Sequence, residues 1–372
     1  MTRMRSGGRM STDTSVGREV LDDSAANPAA SRGSVVRVRE VVHETADASS
    51  FVVEPGVQAA ASFEYRAGQF LTVRIPDAGT GSARCYSLSS SPHSDAAMKF
   101  TVKRVAGGHG SNWLCDNVSA GDELEVLPPS GTFTPDSLDE PVVLIAGGSG
   151  VTPVIAIAKS ILFAGSADVV LIYANRDEAS VIFAAELRAL ESRFADRFTV
   201  IHRLQSLQGY PTRRALTMLL CPFVQRAVYI CGPGPLMSLA EEACAEVGIP
   251  GNRVHSERFL SLRQDPFAVD SESPDDRDAT GEVAATIRVA IDGAEHVVPW
   301  RADRKLLDAL LAAGIQAPYS CREGACSACV CSLRSGRVSM ARNEILADED
   351  VADGYILACQ AEPVTDEIAI EY

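Results

Sequence analysis

The sequence predicts a multidomain chain in three folded parts: an antiparallel β segment, a parallel α/β segment, and a small α+β segment. Three observations predict it. Residues 34–138 hold short β-rich runs bounded by turns, and residues 139–264 alternate strand, glycine turn and helix. Residues 283–372 open on a hairpin signal, continue into one short amphipathic helix, and carry a loop of cysteines. At 372 residues the chain is also too long for one ordinary core.

Taken in order, residues 1–33 are rich in Ser, Gly, Arg and Asp and read as a disordered tail, within which Met10 is a second candidate start. Strands are expected at 35–42, 51–53, 69–75, 99–105 and 123–127, the spacing of an antiparallel barrel or sandwich. In the second part they are expected at 142–146, 169–174, 198–204 and 227–231, separated by helical patterns, which is the texture of a parallel sheet. Residues 265–282 are dense in acid, Ser and Pro and read as an extended linker. Beyond it, runs at 285–291 and 295–298 flank the turn Asp292-Gly293, and a helix is expected over 306–313 before Gly314. No internal repeat is visible.

Composition narrows the function classes. The chain is 46% hydrophobic and 22% charged, as globular proteins are. No run approaches the roughly 18 uncharged apolar residues of a membrane span, and no apolar core of a secretory signal precedes residue 30, so a cytoplasmic location is expected. A net charge of −15 argues against nucleic acid, whose phosphates demand Lys and Arg. From 283 to 372 there are fourteen Asp and Glu against eight Lys and Arg, an excess of six. That surplus suits docking on a basic protein surface, and serves solubility equally well. The ten cysteines are too dispersed for a disulfide scaffold, and Cys85, Cys115, Cys221 and Cys244 are expected as reduced, packed thiols.

Four others have a sharper reading. Cys321, Cys326, Cys329 and the distant Cys359 spell C-x4-C-x2-C plus one, the plant-type ligand spacing of a [2Fe-2S] cluster. Structural zinc is the rival, but zinc sites usually pair two C-x2-C knuckles and only one exists here. Cys331 is expected as a strand thiol.

Upstream lie four motifs with flavin and nucleotide chemistry. Arg84-Cys85-Tyr86-Ser87-Leu88-Ser89-Ser90 offers a cation for phosphate, a ring to stack on an isoalloxazine, and a hydroxyl for its reactive nitrogen. Gly107-Gly108-His109-Gly110-Ser111-Asn112 runs into a helix whose N-terminus can receive a pyrophosphate, with His109 a loop residue. Gly147-Gly148-Ser149-Gly150-Val151-Thr152-Pro153 and Cys231-Gly232-Pro233-Gly234-Pro235 each follow a strand and open a helix, marking a crevice at the carboxyl ends of one sheet. Neither is the generic G-x-G-x-x-G dinucleotide fingerprint.

In this order the motifs resemble the ferredoxin-NADP reductase superfamily, and the appended cysteine module makes the chain look like the three-module reductases of bacterial oxygenases. The resemblance covers about 34–372. It implies an antiparallel β-barrel FAD domain (34–138), an α/β nicotinamide domain (139–264) and a β-grasp ferredoxin-type domain (283–372). It implies that Tyr86 stacks on FAD, Ser87 bonds near N5, and Arg84 with Gly110, Ser111 and Asn112 holds the pyrophosphate, beside Leu88. Gly147, Gly148, Gly150, Thr152, Cys231, Gly232 and Pro233 then form the nicotinamide crevice, with Thr152 and Cys231 facing the ring. Glu257 and Phe259 stand at a strand end facing the flavin, Phe259 moving aside for nicotinamide or else serving as a plain core aromatic. Tyr372 is not given the flavin-shielding role of the C-terminal Tyr in many relatives, because the chain continues past that domain.

The implied activity is electron transfer from NADH through FAD and [2Fe-2S] to a terminal oxygenase. Hydride is a two-electron parcel and a cluster accepts one electron at a time, which is why one chain would need both cofactors. The module order is shared by the reductases of phenylacetyl-CoA epoxidase and of 3-ketosteroid 9α-hydroxylase, and the stretch Asp353-Gly354-Tyr355-Ile356-Leu357-Ala358-Cys359-Gln360-Ala361 looks closer to those of the Rieske-type steroid enzymes in steroid degradation, with the chain acting as a monomer. Service to another oxygenase (phenylacetyl-CoA epoxidase, an aromatic-ring hydroxylase, a desaturase) and a redox-sensing regulator stay open. After the second strand of the α/β part, Arg176 could meet a 2′-phosphate while Asp177 or Glu178 would repel it, so NADH is favoured and NADPH is left open.

Overall fold

The computed structural model describes residues 33–76, 82–259, 262, 265–267, 283–291, 293–346 and 348–372. The expected tail before residue 33, Met10, most of the linker and Asp292 lie outside the described residues.

Strands β1 (Ser34–Thr45), β2 (Ala48–Pro55), β3 (Phe70–Ile75), β4 (Ser82–Ser87), β5 (Met98–Lys103) and β6 (Glu123–Ser130) pair antiparallel in the order β4-β3-β6-β1-β2-β5. Their period-two pattern sends Val36, Val38, Phe51, Val53, Leu71, Val73, Phe100 and Val102 into one core. The Arg84 motif forms most of β4, and Leu88 just beyond it bridges Phe100 of β5, joining the two ends of the strand order. Helix α1 (His109–Asn117) follows β5.

Strands β7 (Val142–Gly147), β8 (Val169–Asn175), β9 (Phe198–Leu204), β10 (Ala227–Cys231) and β11 (Val254–Glu257) are parallel, in the order β11-β10-β7-β8-β9. The central β7, β8 and β10 are near-continuous apolar runs because both faces are covered, while the edge strands β9 and β11 are only partly buried. Val142 and Leu144 pack with α2 (Val151–Ala164) and α3 (Ala184–Arg193), while Val143 and Ile145 pack with helices later in the chain. Those are α5 (Arg213–Leu220) and α6 (Gly234–Val247), after the short α4 (Gln205–Gln208). The strand order turns back between β7 and β10, and a crevice opens at such a switch point. A buried ion cluster fixes this sheet against the first domain. Lys159 on α2, with its side chain 3% exposed, bonds Asp95 at 3.0 Å and Glu186 at 2.8 Å, and Lys99 of β5 reaches Glu186 at 3.2 Å.

The third module comprises β12 (Val283–Ile291), β13 (Ala294–Arg301), α7 (Leu306–Ala312), β14 (Val330–Ser335), β15 (Val338–Met340), α8 (Asp348–Ala352), β16 (Tyr355–Leu357), β17 (Ala361–Pro363) and β18 (Glu367–Glu371). Its main sheet is mixed, in the order β13-β12-β18-β14-β16, with β12 and β18 parallel. Ile287, Val289, Trp300, Leu306, Leu310 and Ile370 fill its core, and the buried Trp300 satisfies its indole N–H on the Arg304 carbonyl at 2.8 Å. Tyr372 packs on this same core and donates its backbone N–H to Ala290.

Two expectations change. The linker is not extended from its first residue: Phe267 is 1% exposed beneath the Arg74 guanidinium, and Asp265 pairs with Arg74 at 3.1 Å. One aromatic inside an acidic stretch has enough apolar surface to be driven into a neighbouring domain. Cys221 is exposed, not packed, because it sits past the end of α5 in a short 3-10 turn. Among the described residues no helix is long and apolar enough to cross a membrane.

Candidate functional site

The cysteine loop lies between α7 and β14, and Cys359 arrives on the turn between β16 and β17. Cys321, Cys329 and Cys359 are buried and Cys326 is half-buried. The loop curls tightly because Arg322, Gly324 and Ser327 take left-handed backbone at φ 58°, 73° and 55°. For the two non-glycine residues this costs about 1–2 kcal/mol each. Gly324 is required twice over, since a Cβ there would also stand 2.7 Å from the Arg342 carbonyl. The curl aims backbone N–H groups at sulfur. Glu323 and Ala325 donate to Cys321 Sγ at 3.3 and 3.4 Å, Cys321 to Cys326 Sγ at 3.3 Å, and Cys359 to Cys329 Sγ at 3.5 Å.

Among the described residues no three His, Cys, Asp or Glu side chains converge as a single ion would require. A cluster of two irons takes its thiolates two to an iron and asks for no such convergence. An all-sulfur, buried donor set fed by backbone N–H groups fits a [2Fe-2S] cluster, and Cys331 lies apart on β14, buried towards Tyr372.

In the first domain Arg84 runs along the first turn of α1, where a Cβ on Gly110 would meet its Cγ at 3.0 Å. No side chain caps α1, so its first N–H groups are available to a phosphate beside that cation. The side chains of Ser111 and Asn112 turn inward instead. Ser111 Oγ accepts from the Val105 N–H at 3.1 Å, and Asn112 Nδ2 donates to the Gly108 carbonyl at 2.6 Å. The Asn112 amide N–H groups are thereby spent within the turn, whereas the Ser111 hydroxyl keeps its proton to donate. The Tyr86 ring stacks on Phe100, with centroids 5.8 Å apart, and His109 bonds the Pro76 carbonyl.

At the switch point the ends of β7 and β10 nearly touch. A Cβ on Gly150 would lie 2.2 Å from the Cys231 carbonyl oxygen, and one on Gly147 would lie 2.8 Å from Pro233. Gly148 (φ 52°) and Gly232 (φ 158°) turn the chain beside them, and Thr152 caps back onto the Ser149 carbonyl. Arg176 pairs with Asp47 of the first domain at 2.9 Å, and Asp177 caps the following turn through the Ser180 N–H, so both are engaged within the protein.

Three predicted residues from two domains meet. β11 pairs with β10 so that Glu257 lies beside Cys231, and Ser87 Oγ donates across the domain boundary to Glu257 at 3.2 Å. Glu257 keeps some surface on a cleft while its carboxyl is packed among protein atoms, and desolvation pushes it up to about 8. The native carboxyl thus keeps its proton between pH 4.5 and about 8, where the unfolded chain has lost it, so stability falls as pH rises through that window. Glu257→Gln should flatten this decline, removing a few kcal/mol of pH dependence at about 1.4 kcal/mol per unit. Thermal midpoints of variant and parent at pH 5 and pH 8 measure it, and an unchanged difference refutes it.

The cleft of ≈ 960 Å³ is walled by Cys85 and Ser87 from the first domain, Glu257 and Phe259 from the second, and Cys326 and Ser327 from the third. Phe259 is 47% exposed, so it is not a core aromatic. The sequence reading passed over Cys85, although residues two apart on a strand share a face, and Ser87 was already marked. Thr72 and Ser320, buried beside it, carried no sequence signal.

Comparison with known proteins assigns a family to each of the three domains. The family model described as the oxidoreductase FAD-binding domain matches residues 35–134, that of the oxidoreductase NAD-binding domain 144–242, and that of the 2Fe-2S iron-sulfur cluster binding domain 289–364. The chain is 50% identical over 346 residues to the ferredoxin reductase component of 3-ketosteroid-9-alpha-monooxygenase from Rhodococcus rhodochrous, covering 93% of this chain and 98% of that one. It is 51% identical over 341 residues to the same component from Mycolicibacterium smegmatis, covering 91% and 96%. Among solved structures, phthalate dioxygenase reductase is similar at 25% identity and a TM-score of 0.55, covering 91% of this chain and 98% of that one.

Proposed function

This chain belongs to the ferredoxin-NAD(P) reductase superfamily, an NAD(P)H-dependent oxidoreductase with FAD, NAD and [2Fe-2S] domains, and we propose that it serves a Rieske-type 3-ketosteroid 9α-hydroxylase in the cytoplasm. The single observation that carries the relay is the cleft in which Ser87, Glu257 and Cys326 share one space. The steroid assignment is supported by relatives of that name, aligned over nearly their whole length.

The bound cofactors supply two-electron acceptance from a nicotinamide and one-electron release through iron. In our reading Arg84 and the first turn of α1, with Gly110, Ser111 and Asn112, hold the FAD pyrophosphate, and Tyr86 flanks the ring, while Leu88, expected beside it, is buried in the core and serves only to anchor the strand end on Phe100. Ser87 and the protonated Glu257 stand at its reactive edge. Gly147, Gly148, Gly150, Thr152, Cys231, Gly232 and Pro233 receive the nicotinamide, and Phe259 moves on the cleft wall as it enters. Cys321, Cys326, Cys329 and Cys359 hold the cluster. We take 34–138 as a barrel, supported by the Leu88–Phe100 bridge, 139–264 as the nicotinamide domain, and 283–372 as a β-grasp, supported by its mixed sheet around one helix.

Reconstitution with a purified 3-ketosteroid 9α-hydroxylase oxygenase should give NADH-dependent steroid hydroxylation. Raising the salt should slow partner reduction, because the third module carries fourteen acidic against eight basic residues. NADPH should be the poorer donor, since Asp177 or Glu178 would repel a 2′-phosphate and Arg176 pairs with Asp47. Brisk reduction of a different oxygenase alongside none of the steroid enzyme would sink the assignment.

A further inference from the structure

The cluster loop is seated on the first domain by a small polar contact inside an apolar collar. Thr72 on β3 and Cys85 on β4 are cross-strand partners. Thr72 Oγ1 lies 3.4 Å from Cys85 Sγ and is hydrogen-bonded to Ser320 Oγ, which lies 3.9 Å from the same sulfur. Thr72 is 0% and Ser320 1% exposed. Around them Ala83, Leu127, Leu262 and Phe267 pack with Ala325 and Cys321. Two hydroxyls buried among apolar groups are costly unless they meet, so this contact selects one docking register over its neighbours. Ser320 directly precedes the ligand Cys321, and Cys85 shares its strand face and the cleft with Ser87.

We propose that Thr72, Cys85 and Ser320 are positioning residues that hold the cluster loop against the flavin-binding strand. The short route from Ser87 to Cys321 then runs through the Cys85 thiol and the Ser320 hydroxyl. None of the three is oxidised or changes protonation; they set distance and orientation for electrons passing one at a time. The inference rests on the flavin-to-cluster direction of transfer and is independent of which oxygenase follows.

The test uses the cofactor-loaded full chain. In stopped flow with NADH, Ser320→Ala should leave flavin bleaching unmoved and slow cluster bleaching about fivefold, the factor one net hydrogen bond is worth. The low-temperature EPR spectrum of the reduced cluster should not change. Cys85→Ala should slow the same step, and Cys85→Ser should restore it. Independently of turnover, Ser320→Cys treated with diamide should yield, by peptide mapping, a disulfide joining the introduced thiol to Cys85. Unchanged cluster bleaching in Ser320→Ala overturns the proposal, as does an altered EPR spectrum, which would mean that the serine shapes the cluster itself. Absence of the Cys85 linkage in a variant with intact cluster absorbance overturns it as well. No oxygenase enters these measurements, so their failure leaves the partner assignment standing, and failed reconstitution leaves this contact untouched.

Discussion

Cys359→Ser should abolish the cluster absorbance and electron delivery to an oxygenase, while NADH-driven reduction of ferricyanide survives. Cys359 lies on the turn between β16 and β17, 4% exposed in the core of the third module, and its N–H donates to Cys329 Sγ. Removing it strips one of four sulfur donors and leaves a hydroxyl where a thiolate was needed. The residues proposed for hydride chemistry, Ser87, Glu257 and Cys231, belong to the other two domains and are joined to one another without it. Loss of cluster binding should also lower the thermal stability of the third module, because a group that binds only the native state stabilises it. Cys331→Ala is the matched control: that thiol is buried on β14 towards Tyr372, and its removal should keep the cluster. If a folded Cys359→Ser variant lost flavin reduction by NADH, the separation of the two centres would be wrong.

Gly150→Ala should lower the rate of flavin reduction by NADH about 100-fold, the scale of a misplacement near 1 Å at a reacting centre. Gly150 has an ordinary helical φ of −62°, so strain is not the cause. Its added methyl would lie 2.2 Å from the Cys231 oxygen, 2.4 Å from its carbon and 2.6 Å from the Gly232 nitrogen, all backbone atoms that cannot rotate away. The ends of β7 and β10 must separate, and the crevice changes shape. A stability loss of about 1–3 kcal/mol should accompany it. Gly56→Ala, at φ −58° and ψ 150° with nothing within 4 Å of the added carbon, should be neutral to slightly stabilising. Single-turnover kinetics and thermal melts of the pair decide the matter, and a near-normal reduction rate in Gly150→Ala would refute the close-approach argument.

Much of the fold was legible because its signals are local. Alternation at 35–42 and the apolar run at 142–146 specified strands, since a half-buried strand and a doubly covered one leave different patterns. The cysteine loop was legible from its spacing. Ser111 and Asn112 were read as pyrophosphate ligands, but the Ser111 oxygen and the Asn112 amide bond within their own turn, and a motif gives no direction to a side chain. Phe267 was averaged into an acidic stretch whose composition hid it.

The sequence by itself determined the chemistry available: four thiols in cluster spacing, glycines where backbone must approach phosphate, and a cation, ring and hydroxyl on one strand. Only the tertiary structure decided which of these meet. Ser87 and Glu257 are 170 positions apart and bond at 3.2 Å, and Thr72 reaches Ser320 across 248 positions. Such contacts follow from how three separately patterned domains pack, driven by buried apolar surface that has no direction of its own. Their register is set by a few buried polar pairs whose partners no local pattern names.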